Sequence, residues 1–346
     1  MIRLTALITA YNQKAYIEEA VSSVLKQKCT FDFDVVIGDD GSDDGTWELL
    51  NEKYLHLQNV KLIRVDRNNK TDNVSATRAS RLRLELLKHV KGEYFCFLDG
   101  DDFFSDIDKF QKQVDVLDKK EHEKYVVCAS NMAIYCDKKG EQSVKPIYAF
   151  GLQPGEIDKF YCWERVFFSA NACVFRASLI SKLPVELLDY VYNDHMIFLS
   201  AIVYGGIYYI PDVTMYYRQV MQGSIWTSGN ELVGTIRNVM AIDIGDRIYP
   251  DLKKANHYRY RTSVYELYKY RNKMDKREVA YWIDLSYKLK CKEVISLVEY
   301  HDYNIIKKFQ ITLCFYYRRI IYETPKYIKR IVKRVASMAG YIKRKL

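Results

Sequence analysis

The sequence predicts an α/β fold built on a parallel sheet, with a helical region after it, and three observations carry that expectation. From the N-terminus to about residue 135, short apolar runs alternate with longer amphipathic ones, the pattern left by strands joined through crossover helices. Two of the apolar runs end abruptly in carboxylates, at Gly38-Asp39-Asp40 and at Asp99-Gly100-Asp101-Asp102. The chain has 346 residues, 49% of them hydrophobic, which suffices for one substantial core and a smaller second unit.

Taken in order, strands are expected at Leu4 to Thr9, Asp34 to Asp39, Val60 to Val65, Tyr94 to Leu98 and Tyr125 to Ile134. Between them, Ala15 to Lys26, Gly45 to Tyr54 and Ser75 to His89 carry apolar residues at helical spacing. Asp44, beside Gly45-Thr46, reads as a helix cap. Residues 136 to 162 hold Gly140, Pro146, Gly151 and Pro154-Gly155 and read as a long loop. Next come a strand at Ala172 to Phe175, a helix at Asp194 to Val203, and two short strands at Ile207 to Ile210 and Val213 to Tyr217. From about Asn230 the pattern turns into successive amphipathic helices punctuated by Pro250 and Pro325.

Composition narrows the function classes. The eight cysteines form no CxxC pair and lie mostly in apolar runs, so they read as reduced core residues of a cytoplasmic protein. The N-terminal apolar run breaks too early for a signal peptide. The uncharged stretch from His195 to Pro211 is interrupted by Gly205-Gly206 and falls short of the roughly 20 apolar residues a membrane helix needs. The formal charge of +9 is uneven: residues 305–346 carry twelve Lys or Arg against one acid, Glu323. Within that tail Ile328, Ile331, Val332, Val335, Met338, Ala339 and Ile342 form an apolar stripe flanked by basic residues. Such a helix suits an anionic membrane surface, peripheral on the inner face of the cell membrane; packing on the rest of the chain or on a second subunit of an oligomer is the other reading. No motif that reads nucleic acid is present.

The carboxylates carry the chemistry. Open α/β sheets bind ligands outside the carboxyl ends of their strands, and here two neighbouring ends are acidic. Like charges ~6 Å apart repel by about 3 kcal/mol at an effective dielectric of roughly 20, so a cation or a row of donors is expected beside them. Asp99-x-Asp101 after an apolar strand sets two carboxylates on one side of a turn, where they can share a hard divalent ion whose other positions take water and phosphate oxygens. No GxxxxGK[ST] phosphate loop occurs in the chain.

The motifs ITAYNQKAYIEEAVSSVLKQ (Ile8 to Gln27), FDVVIGDDGSDDGT (Phe33 to Thr46), KGEYFCFLDGDDFF (Lys91 to Phe104), KFQKQVDVL (Lys109 to Leu117), NACVFR (Asn171 to Arg176), Asn193-Asp194 and YIPDVTMYYRQVMQGSIW (Tyr209 to Trp226) stand in that order. Together they resemble the inverting family 2 glycosyltransferases of the GT-A fold, of the bacterial surface-polysaccharide type, over roughly residues 1 to 226. The resemblance implies a Rossmann-like GT-A catalytic domain over 1–228, with a nucleotide-sugar half at 1–135 and an acceptor half at 136–228. A helical C-terminal extension over 229–346 would follow.

It also implies residue roles. Thr9, Ala10, Tyr11 and Asp40 match positions that hold the nucleobase, where a carboxylate suits a uracil or thymine imide and so a UDP-sugar. Asp99 matches the residue near the ribose, and Asp101 the ligand of Mn²⁺ or Mg²⁺. Arg78 is similar to an arginine that faces the nucleotide, with Arg81 or Arg83 as alternatives. Asp194 matches the catalytic base that deprotonates a hydroxyl of a glycan or lipid-linked acceptor. Arg218 and Trp226 match a loop over donor and acceptor. Val220 stands where many relatives carry histidine, so a second metal or phosphate contact from that loop would fall to Gln222 if it is made at all, and Asn193 replaces a residue often acidic or glycine. A nucleotide-sugar-binding protein without transfer activity is the alternative on the same fold.

Overall fold

The computed structural model describes residues 1–65, 75–138, 141–147, 153–157, 169–184, 194–219, 231–253, 263–264, 267, 280–292 and 294–295. Two compact units divide the chain, one comprising Met1–Gly229 with Tyr249–Ala255, the other Asn230–Ile248 with Asn256–Leu346.

The first unit is organised by β1 (Leu4–Ala10), β2 (Phe33–Asp39), β3 (Val60–Arg64) and β4 (Tyr94–Asp99). These four lie parallel in the order β3-β2-β1-β4. All but one residue of β1 and of β2 is buried, as a strand covered on both faces requires, and this explains their unbroken apolar character. The connecting helices are α1 (Ile17–Leu25), α2 (Thr46–Tyr54) and α3 (Ser75–Leu87). In α1 the buried residues Ile17, Ala20, Val21 and Val24 fall at helical spacing and form one stripe. Gly45 caps α2 in the left-handed region at φ 91°, and Asp44 acts one step earlier, its Oδ1 accepting from the Thr46 N–H at 2.9 Å.

Beyond β4 the sheet becomes mixed. The short β5 (Phe103–Phe104) leads into α4 (Lys109–Asp118), followed by β6 (Val127–Lys138), β7 (Glu141–Ile147), β8 (Gly155–Glu156), β9 (Cys173–Arg176), α5 (Asp194–Tyr204) and β10 (Ile207–Arg218). The strand order continues β4-β9-β6-β10-β5, with β9 antiparallel to both neighbours and β10 parallel to β6. One apolar cluster, including Leu7, Phe97, Phe175 and Ile197, and another, including Ile8, Val21, Leu98 and Phe110, form the core.

A buried polar chain runs through the junction of α4 with the sheet. Lys109 is fully buried, donates to Gln113 Oε1, and sits over the Phe104 ring at 5.0 Å; burial lowers its pKa. Gln113 Nε2 in turn donates to the carbonyls of Cys128 at 2.8 Å and Ala172 at 3.0 Å. The Ala172 carbonyl also accepts from Ser130 Oγ at 2.7 Å. These bonds tie β6 to the residues just before β9, and so fix Asn171.

Two expectations need correction. The region expected as a loop over 136–162 contains β7, which pairs antiparallel with β6 from Met132↔Ile147 to Lys138↔Glu141. Pro146 is tolerated there because among the described residues β7 pairs with β6 alone, which leaves a side of the strand where a missing N–H breaks no ladder bond. The two short strands expected around Pro211 are one strand, β10, whose register against β6 shifts between Tyr209 and Val213 and again before Met215; the irregularity absorbs the proline.

The second unit contains α6 (Glu231–Ile248) and α7 (Ala280–Lys288), linked where Arg247 Nη2 donates to the Leu289 carbonyl at 2.7 Å. The basic stripe around Ile328 to Ile342 lies outside the described residues. Among the described residues, no helix is long and apolar enough to cross a membrane, and Cys29, Cys96, Cys128, Cys136, Cys173 and Cys291 are free thiols.

The approach to β4 gives a direct test of packing. A Cβ on Gly92 would stand 2.5 Å from the Arg3 carbonyl oxygen, a main-chain atom. Gly92→Ala is therefore expected to lose about 1–3 kcal/mol of stability in urea unfolding; an unchanged midpoint would show that the β1–β4 edge can yield.

Candidate active site

The carboxyl ends of β1, β2 and β4 meet in one row. Thr9 lies opposite both Gly38 and Asp99, and Ala10 opposite Asp39. Each strand then turns sharply: the Asp40 N–H donates to the Ala10 carbonyl at 2.9 Å, and the Gly100 N–H to the Thr9 carbonyl at 2.8 Å. A Cβ on Gly100 would come within 2.9 Å of that Thr9 oxygen, so only glycine lets the acidic turn come this close to β1.

At the β2 end, Asp39 is fully buried and accepts from the Ser42 N–H at 3.0 Å and the Ser42 hydroxyl at 2.5 Å, closing a turn through Gly41 at φ 69°. Asp40 faces α3, where Arg78 Nε reaches its Oδ2 at 3.1 Å. The same guanidinium lies 4.9 Å above the half-exposed Tyr11 ring. Burial pushes the Asp40 carboxyl up to about 6, against the opposing pull of Arg78. Arg78 Nη2 is buried with no hydrogen-bond partner among the described residues.

At the β4 end, the Asp102 N–H donates back to the Asp99 carbonyl at 2.9 Å and folds the acids into a tight turn. Asp99 Oδ1 accepts from Thr9 Oγ1 at 2.9 Å and from Arg83 Nη2 at 2.5 Å, while its Oδ2 accepts from Asn171 Nδ2 at 3.1 Å. Burial raises the Asp99 carboxyl, yet the Arg83 charge and these hydrogen bonds together carry it below the ordinary value. Asp102 is buried and accepts from Asn171 Nδ2 at 3.1 Å and from the Arg218 N–H at 2.9 Å. Burial and its two acidic neighbours lift it well above the usual carboxylate range. Asp101 differs: among the described residues no other residue donates a hydrogen bond to its side chain. Burial and then Asp99 push it up to about 6.

The expected donors therefore exist, supplied by Arg64, Arg78, Arg83, Asn171 and Arg218. Both oxygens of Asp99 accept hydrogen bonds inside the protein, so of the two acids expected to share an ion Asp101 is the less engaged. Among the described residues no group of three His, Cys, Asp or Glu side chains could hold a metal by itself.

Thr9, Ala10, Tyr11, Asp40, Arg78, Asp99 and Asp101 come together at this edge. Arg83, an alternative to Arg78 in the sequence reading, has its own place on Asp99. Arg218 ends β10 beside the same turn, with its guanidinium directed into the protein onto Glu19 and the Asp101 carbonyl. Asp194 opens α5, but its side chain lies outside the described residues, as does Trp226. The sequence reading assigned no role to Asn171, which bridges Asp99 and Asp102 from positions 72 and 69 residues away; its only signal was its place at the head of the NACVFR motif.

A parallel β3-β2-β1-β4 sheet extended by a mixed half, with an acidic turn closing its central strand, defines the GT-A class of nucleotide-diphospho-sugar transferase folds. The family model described as Glycosyl transferase family 2 matches residues 5–183, more than half the chain, and the protein belongs to that family. An uncharacterised protein of Mycobacterium tuberculosis (strain H37Rv) is 26% identical over 223 residues, covering 63% of this chain and 59% of the relative; the chain thus spans about three-fifths of the length of such curated relatives. The poly(ribitol-phosphate) β-N-acetylglucosaminyltransferase TarS of Staphylococcus aureus is 31% identical over 110 residues, 30% of this chain and 17% of TarS. The crystal structure of its residues 1–349 with UDP-GlcNAc superposes at a TM-score of 0.55 with 18% identity, covering 87% of this chain and 82% of that one. The mannosyltransferase PcManGT of Pyrobaculum calidifontis, in complex with GDP-Man and Mn²⁺, matches at a TM-score of 0.50 with 14% identity, over 92% of this chain and 86% of that one.

The Asn171 bridge yields a pH prediction. Asn171→Asp would place a third carboxylate against Asp99 and Asp102, raising its folded pKa above the unfolded value. The resulting loss of stability is absent well below the unfolded pKa and grows as pH rises through the folded one. Unfolding at pH 5 and pH 8 should show a markedly larger penalty at pH 8; equal penalties would contradict the assigned contacts.

Proposed function

We propose that the first unit transfers a sugar from a nucleoside diphosphate, with UDP as the carrier, to a hydroxyl of a glycan or lipid-linked acceptor, inverting the anomeric centre. The single observation that carries this reading is the Asp101 carboxylate, held at a sheet edge beside the Asp40, Arg78 and Tyr11 corner, to which no other described residue donates a hydrogen bond. Family membership and the nucleotide-sugar complexes of TarS and PcManGT support it.

In this reading the Asp40 carboxylate accepts the imide hydrogen of a uracil, and the unpartnered Arg78 Nη2 is a donor for a ring carbonyl. Tyr11 flanks the base, and Asp99, oriented by Thr9, Arg83 and Asn171, meets the ribose.

The residues at the turn fit a hard divalent ion. Asp101 is half-buried, and an oxygen donor of this kind, with diphosphate oxygens and water completing the shell, is how Mg²⁺-type ions are commonly held. Such an ion supplies Lewis-acid neutralisation of the departing diphosphate. The chain's own work is to hold that one carboxylate in place while its acidic neighbours are satisfied from within. Asp194, at the head of α5, is assigned the acceptor proton by resemblance alone, a contribution of roughly 10²- to 10⁴-fold. Bacterial surface polysaccharide is the setting, as the names of the curated relatives suggest, and the basic tail would bring the enzyme to an anionic membrane face.

Calorimetry with UDP and Mn²⁺ separates the roles. Asp101→Ala should abolish the metal-dependent part of UDP binding, whereas Asp194→Asn should bind UDP-sugar normally and lose about 10²-fold or more in turnover. Near-normal turnover of Asp194→Asn would remove the base assignment. UDP affinity should also weaken as pH falls through about 6, where Asp40 protonates and can no longer accept the imide hydrogen; affinity flat from pH 7.5 to 5 would contradict the base-binding role.

A further inference from the structure

The acidic turn must present Asp101 while Asp99 and Asp102 crowd it, and Arg218 meets the turn from β10. Its main-chain N–H donates to Asp102 Oδ1 at 2.9 Å, and its Nε donates to the Asp101 carbonyl at 3.0 Å. Those two bonds bracket the Asp101–Asp102 peptide. The far end of the guanidinium pairs with Glu19 on α1. The rings of Tyr16, Phe103 and Tyr135 lie 5.1, 5.0 and 4.9 Å from its central carbon. With only 9% of Arg218 exposed, its hydrogen bonds and charge are spent inside the protein.

Resting on the metal-assisted reading above, we propose that Arg218 is a positioning residue that fixes where Asp101 meets the cation, rather than a group that touches donor or acceptor. The physical reason is its shape. A planar guanidinium can lie among three aromatic rings while its fork of donors reaches a carbonyl on one side and a carboxylate on the other; an ammonium offers a compact charge without that fixed geometry. Five elements converge through it, since it joins the end of β10 to α1, to the β4 turn, to Phe103 of β5 and to Tyr135 of β6. Without the Nε bond, the Asp101–Asp102 peptide is held by the Asp102 N–H bond to the Asp99 carbonyl alone, and the carboxylate's approach is less tightly fixed.

The test is titration of Mn²⁺ at fixed UDP by calorimetry, alongside UDP binding in chelator, for the wild type and for Arg218→Met, Arg218→Lys and Glu19→Gln. Arg218→Met should raise the Mn²⁺ concentration for half-saturation about 10-fold or more, as loss of outer-shell support does at metal sites, with chelator-resistant UDP binding unchanged. Arg218→Lys should resemble Arg218→Met, and Glu19→Gln, at a half-exposed carboxylate, should give a smaller rise in the same direction. A wild-type Mn²⁺ response in Arg218→Lys together with Glu19→Gln would overturn the proposal, including in the case where Arg218→Met fails to fold. UDP binding by the wild type that ignores Mn²⁺ would instead remove the metal reading, and this role with it.

Discussion

Carboxylates do not collect at neighbouring strand ends without compensation. At the carboxyl edge of this sheet Asp39, Asp40, Asp99, Asp101 and Asp102 stand within two turns that flank the end of β1, and among the described residues all but Asp101 have partners for their side chains: Ser42 and Arg64 for Asp39, Arg78 for Asp40, Thr9, Arg83 and Asn171 for Asp99, Asn171 and Arg218 for Asp102. The helices and strands that supply those partners are thereby constrained around the edge. Asp101 is the carboxylate left over, and burial followed by the Asp99 charge disfavours its ionised form, a cost that a bound cation would offset.

The rest of the first unit serves that balance. Parallel pairing brings Thr9 between Gly38 and Asp99, so one strand end carries both the base corner and the acidic turn. The mixed half of the sheet contributes from the other side. Lys109, Gln113 and Ser130 tie β6 to the residues preceding β9 and thereby hold Asn171 where one amide nitrogen serves two acids. Asn171 Oδ1 is buried without a partner among the described residues, a cost borne so that its Nδ2 can face both carboxylates.

Much of this was legible in the amino-acid order because the parallel half relies on local signals. The apolar runs of β1, β2 and β4 are buried on both faces, α1 shows its stripe directly, and the acids follow the strands within one or two residues. Other features depend on partners distant in the chain and leave no local trace. Nothing near Asn171 predicts contact with the acidic turn and nothing near Glu19 predicts its pair with Arg218, and Arg83 could be separated from Arg78 only once α3 was packed against the sheet. The hairpin of β6 and β7 escaped for another reason: Gly140 and Pro146 are loop formers by propensity, and the pairing of β7 with β6 alone among the described residues makes a proline there harmless. Pro211 misled in the same way, since the register shift that accommodates it belongs to the ladder rather than to the residue.

The account stands on Asp101 being the protein's ligand for a cation that also meets a nucleoside diphosphate. Anomalous diffraction from crystals grown with UDP and Mn²⁺ tests this most directly. The predicted result is one manganese peak within roughly 2.5 Å of an Asp101 carboxylate oxygen, bridging to the diphosphate, with the uracil beside Asp40 and Arg78. A nucleotide bound at that edge with no manganese near Asp101, or manganese held by other residues, would contradict it.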